Sequence, residues 1–197
     1  SAGRAFEWLA ACEMVVAADS GLDVCLEWNV RPTAIVGDMD SVSDRALLSR
    51  FPNARIVRHE QEKDETDTEL GIRMARDAGF QSVILLGGGG GRLDHLLAVV
   101  SLFDREDAPE AWLTAGETAY AVAEELILSV APKSTISVFP VGTGPWSMES
   151  DGLKWPLDPL RWRRGDIGVS NYATASPVCI RVKSGRLLVV VPNGEAA

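Results

Sequence analysis

Acidic residues recur just after short apolar segments in the first half of the chain. Asp19 follows one such segment, Asp38 and Asp40 follow the next, and Asp94 follows a glycine run. In open parallel sheets, ligands bind beyond the carboxyl ends of the strands, so carboxylates at these positions can share one ligand. Mg²⁺ takes one or two carboxylates and completes its shell with phosphate and water. The series therefore predicts a magnesium–nucleotide site that transfers phosphoryl groups.

Asp38 and Asp40 form the most regular acidic pair. They stand two residues apart, so in an extended turn both carboxylates point to one side and can share a cation. Gly37 precedes the pair and Ser41 follows it. The alternative is that each aspartate caps the following helix or closes a turn.

A second acidic segment contains Asp64 and Asp67. Thr66 and Glu69 fit a capping box, in which a hydroxyl and a carboxylate satisfy main-chain donors at a helix start. Thr66 is therefore equally a helix cap or a ligand contact, and Asp67 is a metal ligand or a structural residue. Glu62 is the further acid of interest in this segment.

Five consecutive glycines, 87–91, precede Arg92, Asp94 and His95. No Lys-Ser or Lys-Thr follows the run, and the spacing does not match a dinucleotide fingerprint. Glycines before a helix let main-chain N–H groups approach phosphate, and an arginine fork can clamp it. The alternatives are a flexible loop for the glycines and a packed, non-catalytic role for His95.

These residues require a scaffold of alternating strands and helices, which is typical of βαβ units and a parallel sheet. The second half instead carries closely spaced apolar segments and the hairpin signal Lys183–Arg186. We predict an α/β N-terminal domain, Rossmann-like with three layers, and a C-terminal all-β sandwich or barrel, divided as 1–115 and 116–197. The predicted strands are 14–18, 34–36, 55–57, 83–86, 111–113, 119–122, 126–130, 135–139, 178–182 and 187–191, and the predicted helices are 22–28, 44–50, 68–77 and a well-buried 92–103.

The composition of the chain indicates which classes of partner and which cellular compartment to expect. A net charge of −9 and a pI near 4.7 disfavour nucleic acid, which selects basic surfaces. No apolar run reaches the length of a membrane span, which is about 18 residues or more. Three dispersed cysteines without a CxxC pair indicate a reducing, cytoplasmic location.

Laid out in order, the four acidic and glycine segments resemble those of the thiamine pyrophosphokinases. The matching segments are Asp19-Ser20-Gly21, Gly37-Asp38-Met39-Asp40-Ser41, Glu62-Lys63-Asp64-Glu65-Thr66-Asp67 and Gly90-Gly91-Arg92-Leu93-Asp94-His95. In the second half, Ser137–Pro140, Gly152–Leu157 and Ser170-Asn171 are similar to that family's landmarks.

The resemblance implies transfer of pyrophosphate from ATP to the hydroxyl of thiamine, with release of AMP, and a homodimer with the thiamine pocket between subunits. It implies Mg²⁺ on Asp38, Asp40, Asp64 and Asp67, with Asp94 as a further catalytic ligand or orienting group. The implied nucleotide contacts are Asp19, Gly21, Ser41, Thr66, Gly90, Gly91, Arg92 and His95, and the implied thiamine contacts are Trp155, Ser170 and Asn171.

The sequence departs from the family pattern at three points. Glu62 stands where the family has Asp, and Val99 stands where it often has Asn. The chain begins at a helix-like segment, whereas the family has a strand and a glycine loop before it, so we expect a sheet with one strand fewer. The alternatives are a pterin-alcohol pyrophosphokinase, which would not need Trp155 or Ser170-Asn171, and a non-catalytic nucleotide-binding regulatory module.

Overall fold

The computed structural model describes residues 2–38, 45–59 and 64–193. The chain divides into two compact units, Ala2–Val83 and a second that starts at Ile84. We call them the N-terminal unit and the C-terminal unit. In the described ranges, no helix has both the length and the apolar character needed to cross a membrane.

The N-terminal unit is built on three parallel strands, β1 (Val16–Ala18), β2 (Ala34–Gly37) and β3 (Arg55–Arg58), which lie side by side in that order. All four residues of β2 are buried, as expected for an apolar strand with neighbours on both sides. Gly71 lies beside β1, since a Cβ there would be in van der Waals contact with Val16 Cγ1, at 3.6 Å. The elements are α1 (Ala2–Ala11), β1 (Val16–Ala18), α2 (Gly21–Glu27), β2 (Ala34–Gly37), a 3₁₀ helix (Arg45–Arg50), β3 (Arg55–Arg58) and α3 (Asp67–Asp77). The predicted βαβ order and parallel pairing are confirmed for these three strands.

The fourth predicted strand, β4 (Ile84–Leu86), does not belong to that sheet. It pairs in parallel with β5 (Ala111–Leu113), with Ile84 opposite Ala111 and Leu86 opposite Leu113. The placement of β4 in the N-terminal parallel sheet was therefore wrong. A βαβ pattern in the sequence indicates that a segment forms a strand. Which strand it pairs with depends on contacts with residues that are distant in the chain. The compact units consequently divide before β4, and the functional division at 115/116 remains a prediction.

The C-terminal unit is a sandwich of two sheets. Besides β4 and β5, its elements are α4 (Leu93–Leu102), β6 (Glu117–Val122), β7 (Glu125–Leu128), β8 (Thr135–Val141), β9 (Ser147–Asp151), β10 (Gly168–Tyr172), β11 (Val178–Ser184) and β12 (Arg186–Pro192). The larger sheet has the order β10-β8-β12-β6-β5-β4, and the smaller sheet has the order β7-β11-β9.

Strand β12 shows how the larger sheet is covered on both faces. Leu187 and Val189 lie in the core shared with the smaller sheet. Leu188 lies in a separate core with Phe103, at the end of α4, and Val190 packs against it. Because successive side chains of a strand point to opposite faces, one strand serves both cores.

Helix α4 is less buried than predicted. Leu96 and Val99 pack against the core that contains Phe103. Leu93, Leu97 and Val100 are 68%, 56% and 40% exposed, so the prediction of a well-buried helix was wrong. Residues three and four apart share a helix face, and here the sheet covers only one of the two apolar faces.

Strands β9 and β10 were not predicted from the sequence. Each lies at the edge of its sheet, and their sequences, SMESD and GVSNY, are rich in polar residues and glycine. Edge strands tolerate such residues because one side of the strand needs no partner. Their pairing with β11 and β8 therefore leaves little trace in the local sequence.

The three cysteines are free, with Cys12 exposed and Cys25 and Cys179 buried. Burial raises the pKa of the Cys25 thiol to about 11. This thiol therefore stays protonated at neutral pH and acts as a small apolar residue in the core of the N-terminal unit.

Candidate functional site

Three segments of the N-terminal unit meet around Gly37. A Cβ at Gly37 would stand 3.3 Å from Asp67 Oδ1 and 3.4 Å from both the Cα and the N of Asp19. The Asp19 N–H donates to the Val36 carbonyl at 2.9 Å, which holds the end of β1 against the end of β2. Two of the predicted acidic residues, Asp19 and Asp67, are thus brought together.

Gly37 has a structural role beyond its position next to the acidic pair. Its φ of +145° and its narrow surroundings both disfavour a side chain. The half-buried Asp38 follows it directly. Asp40 and Ser41, like Glu62, lie outside the described residues, so the predicted pairing of Asp38 with Asp40 stays a prediction.

The capping box predicted at the start of α3 is present. The Glu69 N–H donates to Thr66 Oγ1 at 3.3 Å, and Glu69 Oε2 accepts from the Thr66 N–H at 2.8 Å. The Thr66 hydroxyl also donates to Glu69 Oε2 at 2.8 Å. This hydroxyl therefore caps the N-terminus of α3, which makes Asp67 the first helical residue, where the helix dipole favours a carboxylate.

Asp64 is exposed and precedes the capping box. Its neighbour Glu65 forms an ion pair with Arg73 of α3. Among the described residues, no group of three or more His, Cys, Asp or Glu side chains is arranged to hold a metal ion.

Gly21 opens α2, and a Cβ there would meet no atom within 4 Å. The space beside the first turn of α2 is therefore open. Gly90 and Gly91 in the C-terminal unit are equally unobstructed, and Gly91 has a φ of +85°.

The glycine run of the C-terminal unit is anchored at its start. The Gly87 N–H donates to the Leu113 carbonyl at 2.9 Å, and the Trp112 indole N–H donates to the Gly87 carbonyl at 2.6 Å. A Cβ at Gly89 would stand 2.6 Å from Thr114 Cβ. The run is therefore a packed connection between β4 and α4 in its first half and an open one in its second.

Arg92 and Asp94 are joined by two hydrogen bonds at the start of α4. Arg92 Nε donates to Asp94 Oδ1 at 3.1 Å, and Nη2 donates to Oδ2 at 2.5 Å. Both side chains are largely exposed. The hydrogen bonds from Arg92, aided by the His95 main-chain N–H at 2.9 Å, hold the pKa of Asp94 below its usual range. His95 itself is exposed, so it is not a packed core residue.

The predicted thiamine contacts form a local cluster beside β10. Asn171 is buried, at 6% exposure, whereas Trp155 is 55% exposed. Trp155 packs edge-on against Tyr172, with ring centroids 5.4 Å apart and an interplanar angle of 80°. Ser170 is exposed, has a φ of +62°, and donates its main-chain N–H to Ser137 Oγ at 3.2 Å.

Tyr172 is the residue of this cluster that the sequence did not single out. The sequence feature that could have indicated Tyr172 is its position directly after Ser170-Asn171, at the end of β10. A register shift between Gly168 and Asn171 alters the alternation of side chains there, so the face of each residue could not be read from spacing.

The predicted site residues thus fall in both units. Asp19, Gly21, Asp38, Asp64, Thr66 and Asp67 belong to the N-terminal unit, and Gly90, Gly91, Arg92, Asp94, His95, Trp155, Ser170 and Asn171 belong to the C-terminal unit.

Solved structures with this fold come from several organisms. A thiamine pyrophosphokinase from Bacillus subtilis matches with a TM-score of 0.77 at 20% identity, covering 92% of this chain and 88% of that chain. One from Candida albicans matches with a TM-score of 0.72 at 17% identity, covering 93% and 83%. These likenesses show the fold.

Sequence comparison identifies the family. Thiamin pyrophosphokinase 1 of Caenorhabditis elegans is 25% identical over 180 residues, which are 84% of this chain and 71% of that protein. The family model described as "Thiamin pyrophosphokinase, catalytic domain" matches residues 6–111, and the one described as "Thiamin pyrophosphokinase, vitamin B1 binding domain" matches residues 125–187. Since both models match in order and the first alone spans more than half of the sequence, this chain belongs to the thiamin pyrophosphokinase family.

Proposed function

We propose that this chain transfers the terminal pyrophosphoryl unit of ATP to the hydroxyl of thiamine, giving thiamine diphosphate and AMP. The observation that carries the proposal is the match of both family domains, in order, on one chain. The match over residues 125–187 favours thiamine over a pterin alcohol, and the match over residues 6–111 favours a catalytic protein over a regulatory module.

The chemistry requires alignment of an alcohol with the β-phosphorus and neutralisation of charge on phosphate oxygens. We assign Mg²⁺ to Asp38, Asp40, Asp64 and Asp67. Carboxylate oxygens are suitable donors for this ion. Asp67 Oδ1 lies beside Gly37, where a Cβ would stand 3.3 Å away, and Asp38 follows Gly37 directly in the chain. When bound, Mg²⁺ would neutralise phosphate charge.

We assign the remaining nucleotide contacts to Gly21, Gly90, Gly91, Asp19, Ser41 and His95. Gly21, Gly90 and Gly91 leave room for phosphate or ribose to approach the main chain, because a Cβ at each would meet no atom within 4 Å. Arg92 contributes positive charge, and Asp94 orients its guanidinium. Thr66 acts through the capping box, which sets the position of Asp67.

Thiamine is a flat cation, which suits aromatic and polar surroundings. We assign Trp155, Ser170 and Asn171 to its site, with the exposed Trp155 indole as the aromatic surface. We further propose that residues 1–115 bind nucleotide and metal, and that residues 116–197 bind thiamine and form a cytoplasmic homodimer with the pocket between subunits.

The test is to incubate the protein with Mg²⁺, ATP and thiamine and to measure AMP and thiamine diphosphate by chromatography. Equal amounts of both products are expected, and omission of thiamine or chelation of Mg²⁺ should abolish them. AMP formed only with a pterin alcohol, or nucleotide bound without any AMP, would contradict the proposal.

A further inference from the structure

The Asn171 carboxamide is directed at the main chain of Trp155. Asn171 Oδ1 accepts from the Trp155 N–H at 3.2 Å, and Nδ2 donates to the Trp155 carbonyl at 2.7 Å. Oδ1 also accepts from the Tyr172 N–H at 2.9 Å. A single buried side chain thus satisfies both peptide groups of Trp155, in the way that a neighbouring strand would.

The segment before Trp155 is attached to the same strand. Leu153 forms a β-bridge with Ala173, and the Lys154 N–H donates to the Tyr172 carbonyl at 3.0 Å. The Asn171 side chain continues this attachment to β10 by one residue, to Trp155, whose indole ring is exposed. The edge-on contact with Tyr172 then orients that ring.

The hydrogen-bonding capacity of Asn171 is largely used by these contacts. A carboxamide oxygen has two lone pairs, and both are taken by main-chain N–H groups. Of the two amide N–H groups, one is donated to the Trp155 carbonyl. What remains is a single donor, whereas a two-point contact with an aminopyrimidine needs a donor and an acceptor.

We propose that Asn171 is a positioning residue, which holds Trp155 so that its indole forms a fixed wall for the thiamine ring. This inference rests on the proposed function and replaces direct hydrogen bonding by Asn171 with action through Trp155. Tyr172 completes the arrangement by fixing the tilt of the indole.

A double-mutant cycle tests this mechanism. Thiamine affinity is measured by calorimetry without ATP, and KM and kcat are measured by AMP release. Asn171→Asp keeps the shape and the accepting oxygen but cannot donate to the Trp155 carbonyl, and Asn171→Ala loses all three hydrogen bonds. We expect thiamine KM and Kd to rise about tenfold, with kcat changed less than about twofold, which corresponds to the loss of roughly one hydrogen bond of positioning.

The decisive comparison is made in the Trp155→Ala background. If Asn171 acts through Trp155, adding Asn171→Ala should then weaken thiamine binding by less than about twofold, because interacting sites are not additive. The proposal would be overturned if Asn171→Ala weakened thiamine binding by the same factor in the Trp155→Ala background as in the wild type. Wild-type protein that neither binds nor converts thiamine would instead overturn the proposed function, and this inference with it.

Asn193 offers a matched control in the same unit. Its Nδ2 donates to the Thr114 carbonyl at 2.7 Å, and its Oδ1 accepts from the Thr118 hydroxyl at 2.5 Å. Asn193→Ala should lower the melting temperature yet leave the thiamine KM within about twofold of wild type, in keeping with the loss of a local hydrogen bond. An equal rise in KM for this control would show that the Asn171 effect is general destabilisation.

Discussion

Arg92 and Asp94 form a two-point ion pair in which the arginine uses its Nε and one Nη2 proton. A guanidinium has five N–H donors, so three remain for a phosphate. The pair therefore orients the guanidinium without exhausting it. This relationship leads to two predictions about the start of α4.

Arg92→Lys should keep the charge but lose the fork, because an ammonium cannot make two parallel hydrogen bonds to a carboxylate or a phosphate. We expect kcat/KM for ATP to fall roughly ten- to a hundredfold, the equivalent of one charge-assisted hydrogen bond. Steady-state AMP release measures the change.

The matched control is Arg181→Lys. Arg181 donates through Nε to Glu125 at 2.7 Å, and both side chains are about half exposed. This exposed pair lies between β11 and β7, outside the proposed site, so kcat/KM should be unaltered. An Arg92→Lys enzyme as efficient as this control would remove Arg92 from the phosphate site.

The Asp94 carboxylate should titrate below an ordinary aspartate. Arg92 and the His95 N–H stabilise its charged form, so its folded pKa lies below the unfolded value of about 3.9. The contribution of the pair to stability is therefore present above about pH 4 and is lost as the pH falls towards the lower folded pKa. Because both side chains are exposed, this contribution is small.

The titration of the Asp94 carboxylate can be measured by carboxyl-carbon NMR as the pH is lowered from neutral to below about pH 4. In Arg92→Gln, the Asp94 midpoint should move up towards the ordinary aspartate value, since the main stabilising partner is removed. An unchanged midpoint would show that the ion pair is not formed in solution.

Gly37→Ala should disturb the meeting point of Asp19 and Asp67. A Cβ would press against Asp67 Oδ1 and the Asp19 main chain, and the φ of +145° adds strain. We expect at least about 1–2 kcal/mol of destabilisation from the backbone alone, measured by urea unfolding, and a lower kcat for the folded fraction.

Gly79→Ala separates the effect of backbone strain from the effect of crowding by the added Cβ. Gly79 has a φ of +95°, but a Cβ there would meet no atom within 4 Å. It should lose about 1–2 kcal/mol of stability from the backbone conformation alone, with no change in the activity of the folded protein. If Gly37→Ala behaved no differently, the crowding around Asp67 would be unimportant for catalysis.

Thr66→Ala should destabilise the N-terminal unit by about 0.5–2 kcal/mol, because it removes the capping oxygen at the start of α3. Thr66→Ser retains that oxygen and should recover most of the loss. Chemical denaturation followed by circular dichroism measures both variants. Equal stabilities for Ala, Ser and wild type would mean that the capping box contributes nothing.

Local patterns predicted the local features of this protein. The residues that form β1 to β3, the capping box of Thr66 and Glu69 and the family segments are all encoded by residues near one another in sequence. Such features depend on backbone propensity and short-range hydrogen bonds, which a few neighbouring residues determine.

The tertiary structure decided what depends on distant partners. The pairing of β4 with β5, the half-exposed face of α4 and the edge strand β10 were not accessible from local patterns. In the site, the sequence by itself indicated that Asp19, Asp67 and Asn171 matter. Only the fold brought Asp19 and Asp67 together at Gly37, and only the fold engaged the Asn171 carboxamide with Trp155, because hydrogen-bond partners 16 residues apart are chosen by strand pairing rather than by sequence spacing.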